Sequence, residues 1–352
     1  MNLVVMVYLD FNLGDDLFIK TLIDRYKGHN LHIITKDEKF LQPFEKYNMV
    51  SGISYKEVLT NSKKYDGCVI IGGSIFQDYG NTRDYLNYIR RNMVIKSFKS
   101  KGKPVFIMGS NIGPINTNLG KKIFTATFNN ATSTSVRDEK SFKILDDLKI
   151  KSNYELYPDI VFSLNDDIEV TKDENILGIS IINYDRQKEY QPDYINKMIE
   201  VIDDYQQSNA NSKVYLFGFD SGHQDDGEII DEIISKVKSS ENVHKVMYDA
   251  DMEDFLTKFK SSTFIIGSRF HSVVLALKYK IPFYPIIYSA KTENLLNDIS
   301  YKNESIKYEE IKNLDSKKLI EDINSDLYNY IIDESYIKKS EGHFKELDKV
   351  IK

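Results

Sequence analysis

Short apolar runs of strand length recur at 3–9, 31–35, 68–71, 105–109 and 133–136, and each is followed by a turn. Amphipathic stretches of helical length separate them. In 16–26, Leu17, Leu22, Ile23 and Tyr26 share one face, and 82–100 reads the same way. Strand and helix therefore alternate. That alternation predicts βαβ units, in which parallel strands are joined by right-handed crossovers and covered by helices on both faces. Polarity rises over 165–175, where Asp, Glu and Asn replace the apolar periodicity. Beyond it the alternation resumes, with strands at 176–182, 214–219, 263–267 and 283–287 and helices at 193–207 and 228–238. Two helices, 316–327 and roughly 335–350, close the chain without further strand signal. The pattern predicts an α/β protein with an N-terminal Rossmann-like domain at 1–168, a second at 169–315, and C-terminal helices at 316–352 packing across both.

Bulk properties narrow the function. A chain of 352 residues exceeds what one hydrophobic core usually organises, which agrees with two domains. The formal charge of -6 argues against a nucleic-acid partner, because phosphate backbones are met by concentrated basic faces. A single cysteine, Cys68, rules out an intramolecular disulfide and a Cys-based zinc site. The apolar run at 3–9 has no basic leader and stops at Asp10, so the expected location is the cytoplasm. No repeat of fixed period is present.

In parallel sheets ligands bind at the carboxyl ends of strands, where loops meet helix N-termini and backbone N–H groups point outward. Four such loops in the first half are rich in Gly or polar residues: Asn12-Leu13-Gly14-Asp15-Asp16, Gly72-Gly73-Ser74, Gly109-Ser110-Asn111-Ile112-Gly113-Pro114 and Arg137-Asp138. None matches the dinucleotide or P-loop fingerprint. Any one glycine is as well explained by a tight turn; their shared placement favours a ligand crevice. Arg137 ends a strand of small and β-branched residues and is aimed at that crevice, where its planar fork suits phosphate or carboxylate; the plain alternative is an ion pair with Asp138 or Glu139. In Gly267-Ser268-Arg269-Phe270-His271 an apolar strand delivers an Arg and a His two residues apart into the helical run 273–277. Histidine titrates near neutrality and Arg holds anions, so the pair forms an anion-plus-proton site. His29, His32, His223, His244 and His343 lack such a setting. No two His stand at metal-ligand spacing, so no metal is expected. Ser110, Ser268 and Ser272 occupy no Gly-x-Ser-x-Gly elbow, which makes hydrolase chemistry a weak reading.

Taken in order, these loops resemble the polysaccharide pyruvyl transferase family over most of the chain. The likeness lies in Asn12-Leu13-Gly14-Asp15, Gly72-Gly73-Ser74-Ile75-Phe76-Gln77-Asp78, Gly113-Pro114, Val136-Arg137-Asp138, Pro158-Asp159, Arg269-Phe270-His271 through Ala276 and Pro282, and Lys291 after Tyr288. Two departures stand out: a usual third Gly is missing before Ser74, and Lys280 replaces a small residue. The resemblance implies a GT-B-like fold, two Rossmann-like domains with parallel sheets facing a central cleft. It also implies phosphoenolpyruvate as donor, a sugar or lipid-linked glycan as acceptor, and no cofactor. On this reading His271 is the acid that protonates the donor's methylene carbon, and Arg269, Arg137 and Lys291 hold its phosphate and carboxylate. Two guanidinium groups beside the imidazole would keep it neutral until the anionic donor restores its proton. Asn12, Gly14, Asp15, Gly72, Gly73, Ser74 and Gly113 line the substrate crevice, and Asp15 and Asp138 either orient acceptor hydroxyls or hold an Arg. Domain closure is expected to hinge near 165–175. The rivals are a nucleotide-sugar glycosyltransferase of the same fold and a non-catalytic binding protein. Arg90, Arg91, Lys96, Lys99, Lys101 and Lys103 form a basic stretch for which the alternatives are a solvated helix face and peripheral contact with the cytoplasmic membrane face.

Overall fold

The structure, a computed structural model, describes residues 1–171 and 175–351, so the centre of the expected hinge, 172–174, lies outside the described residues. The residues group into two compact units: Met1–Leu9, Asp15–Asn165 and Glu334–Lys352 form the first, Asp10–Gly14 and Asp166–Asp333 the second.

In chain order the first unit contains β1 (Asn2–Met6), α1 (Leu13–Arg25) from Asp15 onward, β2 (Asn30–Ile34), β3 (Val50–Ile53), α2 (Tyr55–Asn61), β4 (Gly67–Ile71), β5 (Phe76–Asp78), α3 (Thr82–Lys99), β6 (Val105–Ser110), β7 (Ile112–Ile115), α4 (Asn118–Asn130), β8 (Ser133–Val136), α5 (Glu139–Asp147) and β9 (Asn153–Leu156). Its seven-stranded parallel sheet runs β3-β2-β1-β4-β6-β8-β9, and β5 pairs with β7 separately. The central strands β4 and β6 are buried at every position. That is the expected state of a parallel strand covered by helices on both faces, and it explains their unbroken apolar runs.

The second unit repeats the plan with β10 (Ile176–Ile181), α6 (Gln191–Ser208), β11 (Lys213–Gly218), α7 (Gly227–Lys236), β12 (Val243–Met247), α8 (Met252–Ser261), β13 (Phe264–Gly267), α9 (Phe270–Tyr279), β14 (Phe283–Ile287), α10 (Ala290–Asp298), β15 (Ile306–Lys307) and α11 (Ser316–Asn324). Its parallel sheet runs β12-β11-β10-β13-β14-β15. The strand order thus reverses beside the first strand of each sheet, between β1 and β4 and between β10 and β13. At such a switch point the crossovers leave in opposite directions and open a crevice at the carboxyl ends.

The C-terminal helices, expected to pack across both domains, divide between the two units. Helix α11 buries Leu319 and Ile320 and packs against α6 of the second unit. Helices α12 (Glu334–Lys339) and α13 (Lys345–Ile351) belong to the first unit, where His343, Phe344 and Leu347 are buried. Each apolar face found the core nearest to it.

Candidate functional site

The Arg-His motif sits at the switch point of the second sheet, because β13 ends at Gly267 and α9 starts at Phe270. Helix α9 buries Phe270 and the run Val273, Val274, Leu275, Ala276 and Leu277, so it is apolar nearly all round and held inside the unit. Its first turn is therefore a rigid platform. Arg269 takes the N-cap position in extended backbone without a side-chain cap, and its own N–H donates to Ser180 Oγ at 2.9 Å, at the end of β10. Ser268 and Tyr194 share a buried hydroxyl contact of 2.9 Å beneath the same turn.

The Arg269 side chain is not an open anion clamp. Its Nε donates to Asp226 Oδ2 at 3.1 Å, its Nη2 to Asp226 Oδ1 and to the Gln224 carbonyl, and its Nη1 to Gln224 Oε1 at 3.3 Å, with Asp220 at 4.0 Å. Asp226 is fully buried and also accepts from the backbone N–H groups of Asn183, Phe219 and Asp220. Burial pushes its carboxyl up to about 6, against the pull of Arg269. Arg269 meets the same burial, and Asp226 outweighs it and holds the guanidinium charged. A carboxylate suits this cage better than a carboxylic acid, whose O–H would face other donors. The expected pressure of bare guanidinium charge on His271 is thereby removed from this side, since the pair carries no net charge.

His271, half-buried, is the second residue of α9. The loop 10–14 of the same unit packs over it. Asn12 bridges Asp220 in antiparallel fashion and donates through Nδ2 to Asp220 Oδ2 at 3.0 Å, and Leu13 N–H donates to the Phe219 carbonyl at 2.9 Å. Asn12 Oδ1 accepts from Gly14 N–H at 3.0 Å and so caps the start of α1. Gly14 is then pressed against the imidazole: a Cβ there would lie 1.8 Å from His271 Nδ1 and 2.3 Å from Cε1. Only glycine fits. Asn12 and Gly14, expected as substrate-lining residues, are used to seat this loop and to make room for His271. Helix α10 follows the neighbouring strand β14 and carries Lys291 in its first turn; its N-cap Ser289 makes no side-chain cap, and the buried Thr292 hydroxyl has no hydrogen-bond partner among the described residues.

The first unit holds the other expected residues. Gly72 and Gly73 follow β4 with φ of 78° and 56°, and a Cβ on Gly72 would lie 2.0 Å from Phe18, so this turn needs glycine for its own packing. At Gly73 the nearest atom to a Cβ would be Asp15 Oδ1, at 2.9 Å. Ser74 Oγ donates to Asn111 Oδ1 at 2.9 Å, and the same oxygen accepts from Arg137 Nη2 at 2.9 Å. Arg137 Nη1 donates to Asp159 Oδ2 at 2.7 Å, with both side chains buried. Its carboxylate is thus Asp159 and not the neighbouring Asp138 or Glu139. Asp138 instead caps α5, accepting from Ser141 N–H at 2.8 Å, which answers the open question of its role within this fold. Gly113 lies in β7, where a Cβ would lie 2.7 Å from Ile144.

No sequence motif marks Asp226, Gln224 or His343. The first two belong to the acidic loop between β11 and α7, whose run Asp220 to Asp226 was a visible signal next to a strand end. His343 was dismissed, yet it is buried in the first unit. Its Nε2 stands 2.7 Å from the Pro158 carbonyl and its Nδ1 2.8 Å from Ser135 Oγ. A carbonyl only accepts, so Nε2 carries the proton and Nδ1 accepts from the serine. Burial lowers its pKa to about 4. Among the described residues no group of three or more His, Cys, Asp or Glu is placed to hold a metal ion.

The family model for polysaccharide pyruvyl transferase matches residues 12–290, a span that includes every candidate site residue except Lys291. The chain belongs to the polysaccharide pyruvyl transferase family. Members of this family are transferases of polysaccharide biosynthesis. No curated protein matches the chain. Among solved structures it is similar to UDP-GlcNAc 2-epimerase from Methanocaldococcus jannaschii, with TM-score 0.64 and 12% identity over 99% of this chain and 100% of that one. It is also similar to UDP-GlcNAc 2-epimerase from Neisseria meningitidis bound to UDP-GlcNAc, with TM-score 0.61 and 12% identity over 99% of each chain. The ADP-heptose LPS heptosyltransferase II of E. coli follows at TM-score 0.50 and 12% identity, over 92% of this chain and 98% of that one. These likenesses identify a GT-B-like α/β fold with parallel sheets in two domains. No described helix is long and apolar enough to cross a membrane.

Proposed function

We propose that this pyruvyl transferase family member moves a pyruvyl group from phosphoenolpyruvate to two hydroxyls of one sugar in a cell-surface glycan or its precursor, in the cytoplasm and without a metal or organic cofactor. The observation that carries the reading is the seat of His271: the loop at Asn12 to Gly14 gives up a side chain so that the imidazole fits at the start of α9. A rigid, half-buried histidine at a helix N-terminus is suited to proton transfer.

The chemistry divides accordingly. His271 donates a proton to the donor's methylene carbon, which becomes the methyl group, and the first sugar hydroxyl forms a bond to the adjacent carbon. The second hydroxyl forms the other bond as the carbon–oxygen bond to phosphate breaks. One hydroxyl proton returns to His271 and the other leaves on phosphate. The anionic charge is met by Lys291 and by the N-terminal peptide groups of α9 and α10, neither of which is capped by a side chain. Arg269 serves as a positioning residue, pinned to Asp226 so that the β13–α9 turn stays fixed. Arg137 plays the corresponding part for the Ser74 and Asn111 loops within the first unit.

The test is release of phosphate from phosphoenolpyruvate in the presence of a panel of sugars and lipid-linked sugars. His271→Ala should lose at least about a hundredfold in turnover, the lower range for a general acid, while still binding donor. Wild-type turnover by that variant refutes the assignment of His271. Release of nucleoside diphosphate from nucleotide sugars, with no reaction of phosphoenolpyruvate, establishes a glycosyltransferase instead.

A further inference from the structure

We propose that the outer face of α3 is a docking surface for an anionic lipid bilayer. The helix has two apolar faces. Tyr88, Val94, Ile95 and Phe98 are buried in the first unit's core. On the outside Leu86, Ile89 and Met93, spaced i, i+3 and i+7, form a second stripe that is 56%, 47% and 49% exposed. Leu119, at the start of the packed neighbour α4, is also exposed, at 51%. Scattered exposed apolar residues are normal, but a continuous stripe on one helix face marks a contact surface.

Charge identifies the occupant. Of the basic stretch seen in the sequence, Arg91 turns inward to the Ile75 carbonyl at 2.8 Å and lies against the Phe76 ring. Lys101 and Lys103 bind Ser62 and the backbone at 62–65, and Lys99 binds the Asn129 carbonyl. Arg90 and Lys96 remain outward, flanking the stripe, and neither forms an ion pair with any described residue. The acidic residue of α3, Asp84, is nine positions before Met93 and so on the opposite side of the helix. A cationic rim around apolar side chains fits the boundary between anionic headgroups and acyl chains. A second copy fits badly, because a two-fold contact would set Arg90 and Lys96 against the same cations.

The surface can be tested without knowing the reaction. Purified full-length protein is sedimented with neutral phosphatidylcholine vesicles and with vesicles containing phosphatidylglycerol. The wild type should bind the anionic vesicles selectively and be released by salt. The triple variant Leu86→Ser, Ile89→Ser, Met93→Ser and the charge reversal Arg90→Glu, Lys96→Glu should each weaken binding by about tenfold or more and melt like the wild type, since all five side chains are outward. Three results overturn the proposal: no vesicle binding by the wild type, undiminished binding by both variants, or a wild-type dimer that the triple variant converts to monomer without any vesicle binding.

Discussion

Replacing Gly14 with alanine isolates the contact on which the site is built. Gly14 is in the first turn of α1, where alanine ordinarily favours the helix by up to about 1 kcal/mol over glycine. Local propensity alone therefore predicts a slight gain in stability. The tertiary structure predicts the reverse, because the new methyl carbon would start 1.8 Å from His271 Nδ1. Restoring even a 3.0 Å contact requires a displacement of about 1.2 Å, and misplacement on that scale costs on the order of a hundredfold in rate. Overpacking of this kind also costs about 1–3 kcal/mol of stability. Two assays follow. Phosphate release from phosphoenolpyruvate should fall about a hundredfold in Gly14→Ala, and denaturant unfolding of the second unit should show the loss of stability. In a His271→Ala background the methyl group has room, so the same substitution should become neutral or slightly stabilising, a coupling of at least about 1 kcal/mol. If Gly14→Ala folds and turns over like the wild type, or if its cost is unchanged without the imidazole, the seat of His271 has been misread.

Asp226→Asn should strand a buried guanidinium and cost about 3–5 kcal/mol, read as a lowered denaturation midpoint; a change under about 1 kcal/mol would show that Arg269 has another partner. His343 gives a pH signature. Its folded pKa of about 4 lies below the ordinary 6.5, so the unfolded chain binds the proton more readily. The stability it supports is complete above pH 6.5 and is lost as pH falls toward 4, by about 3 kcal/mol in all. His343→Gln should flatten that dependence, and an unchanged slope between those pH values would assign it to other groups.

The parts legible beforehand share a physical cause. Central strands β1, β4, β6, β10 and β13 are almost wholly buried, so they appear as predominantly apolar runs. Strands β3, β9, β12 and β15 are short or partly exposed, and their mixed polarity gave no signal. Strand β7 lies largely within the loop expected at 109–114, and its partner β5 has only three residues, too few to show a periodicity. Local chemistry was legible where neighbours in sequence supply it, as with the Gly-rich turn at Gly72 and Gly73 and the strand-to-helix step from Gly267 to His271.

Charge partners were not legible, because they come from distant parts of the chain. Arg269 meets Asp226, forty-three positions earlier, and Arg137 meets Asp159, twenty-two later. Nothing in the spacing of either Arg distinguishes a clamp for a bound anion from one half of a buried pair. The dismissed His343 reaches Ser135 across 208 positions. Sequence alone determined the alternation that builds two parallel sheets, since apolar periodicity follows directly from which faces are covered. It also placed the Arg-His step at a strand end. The tertiary structure decided which charges are already neutralised, where the final helices lie, and that Gly14 exists to make room for His271. These depend on distances between residues far apart in the chain, and no local pattern encodes such distances.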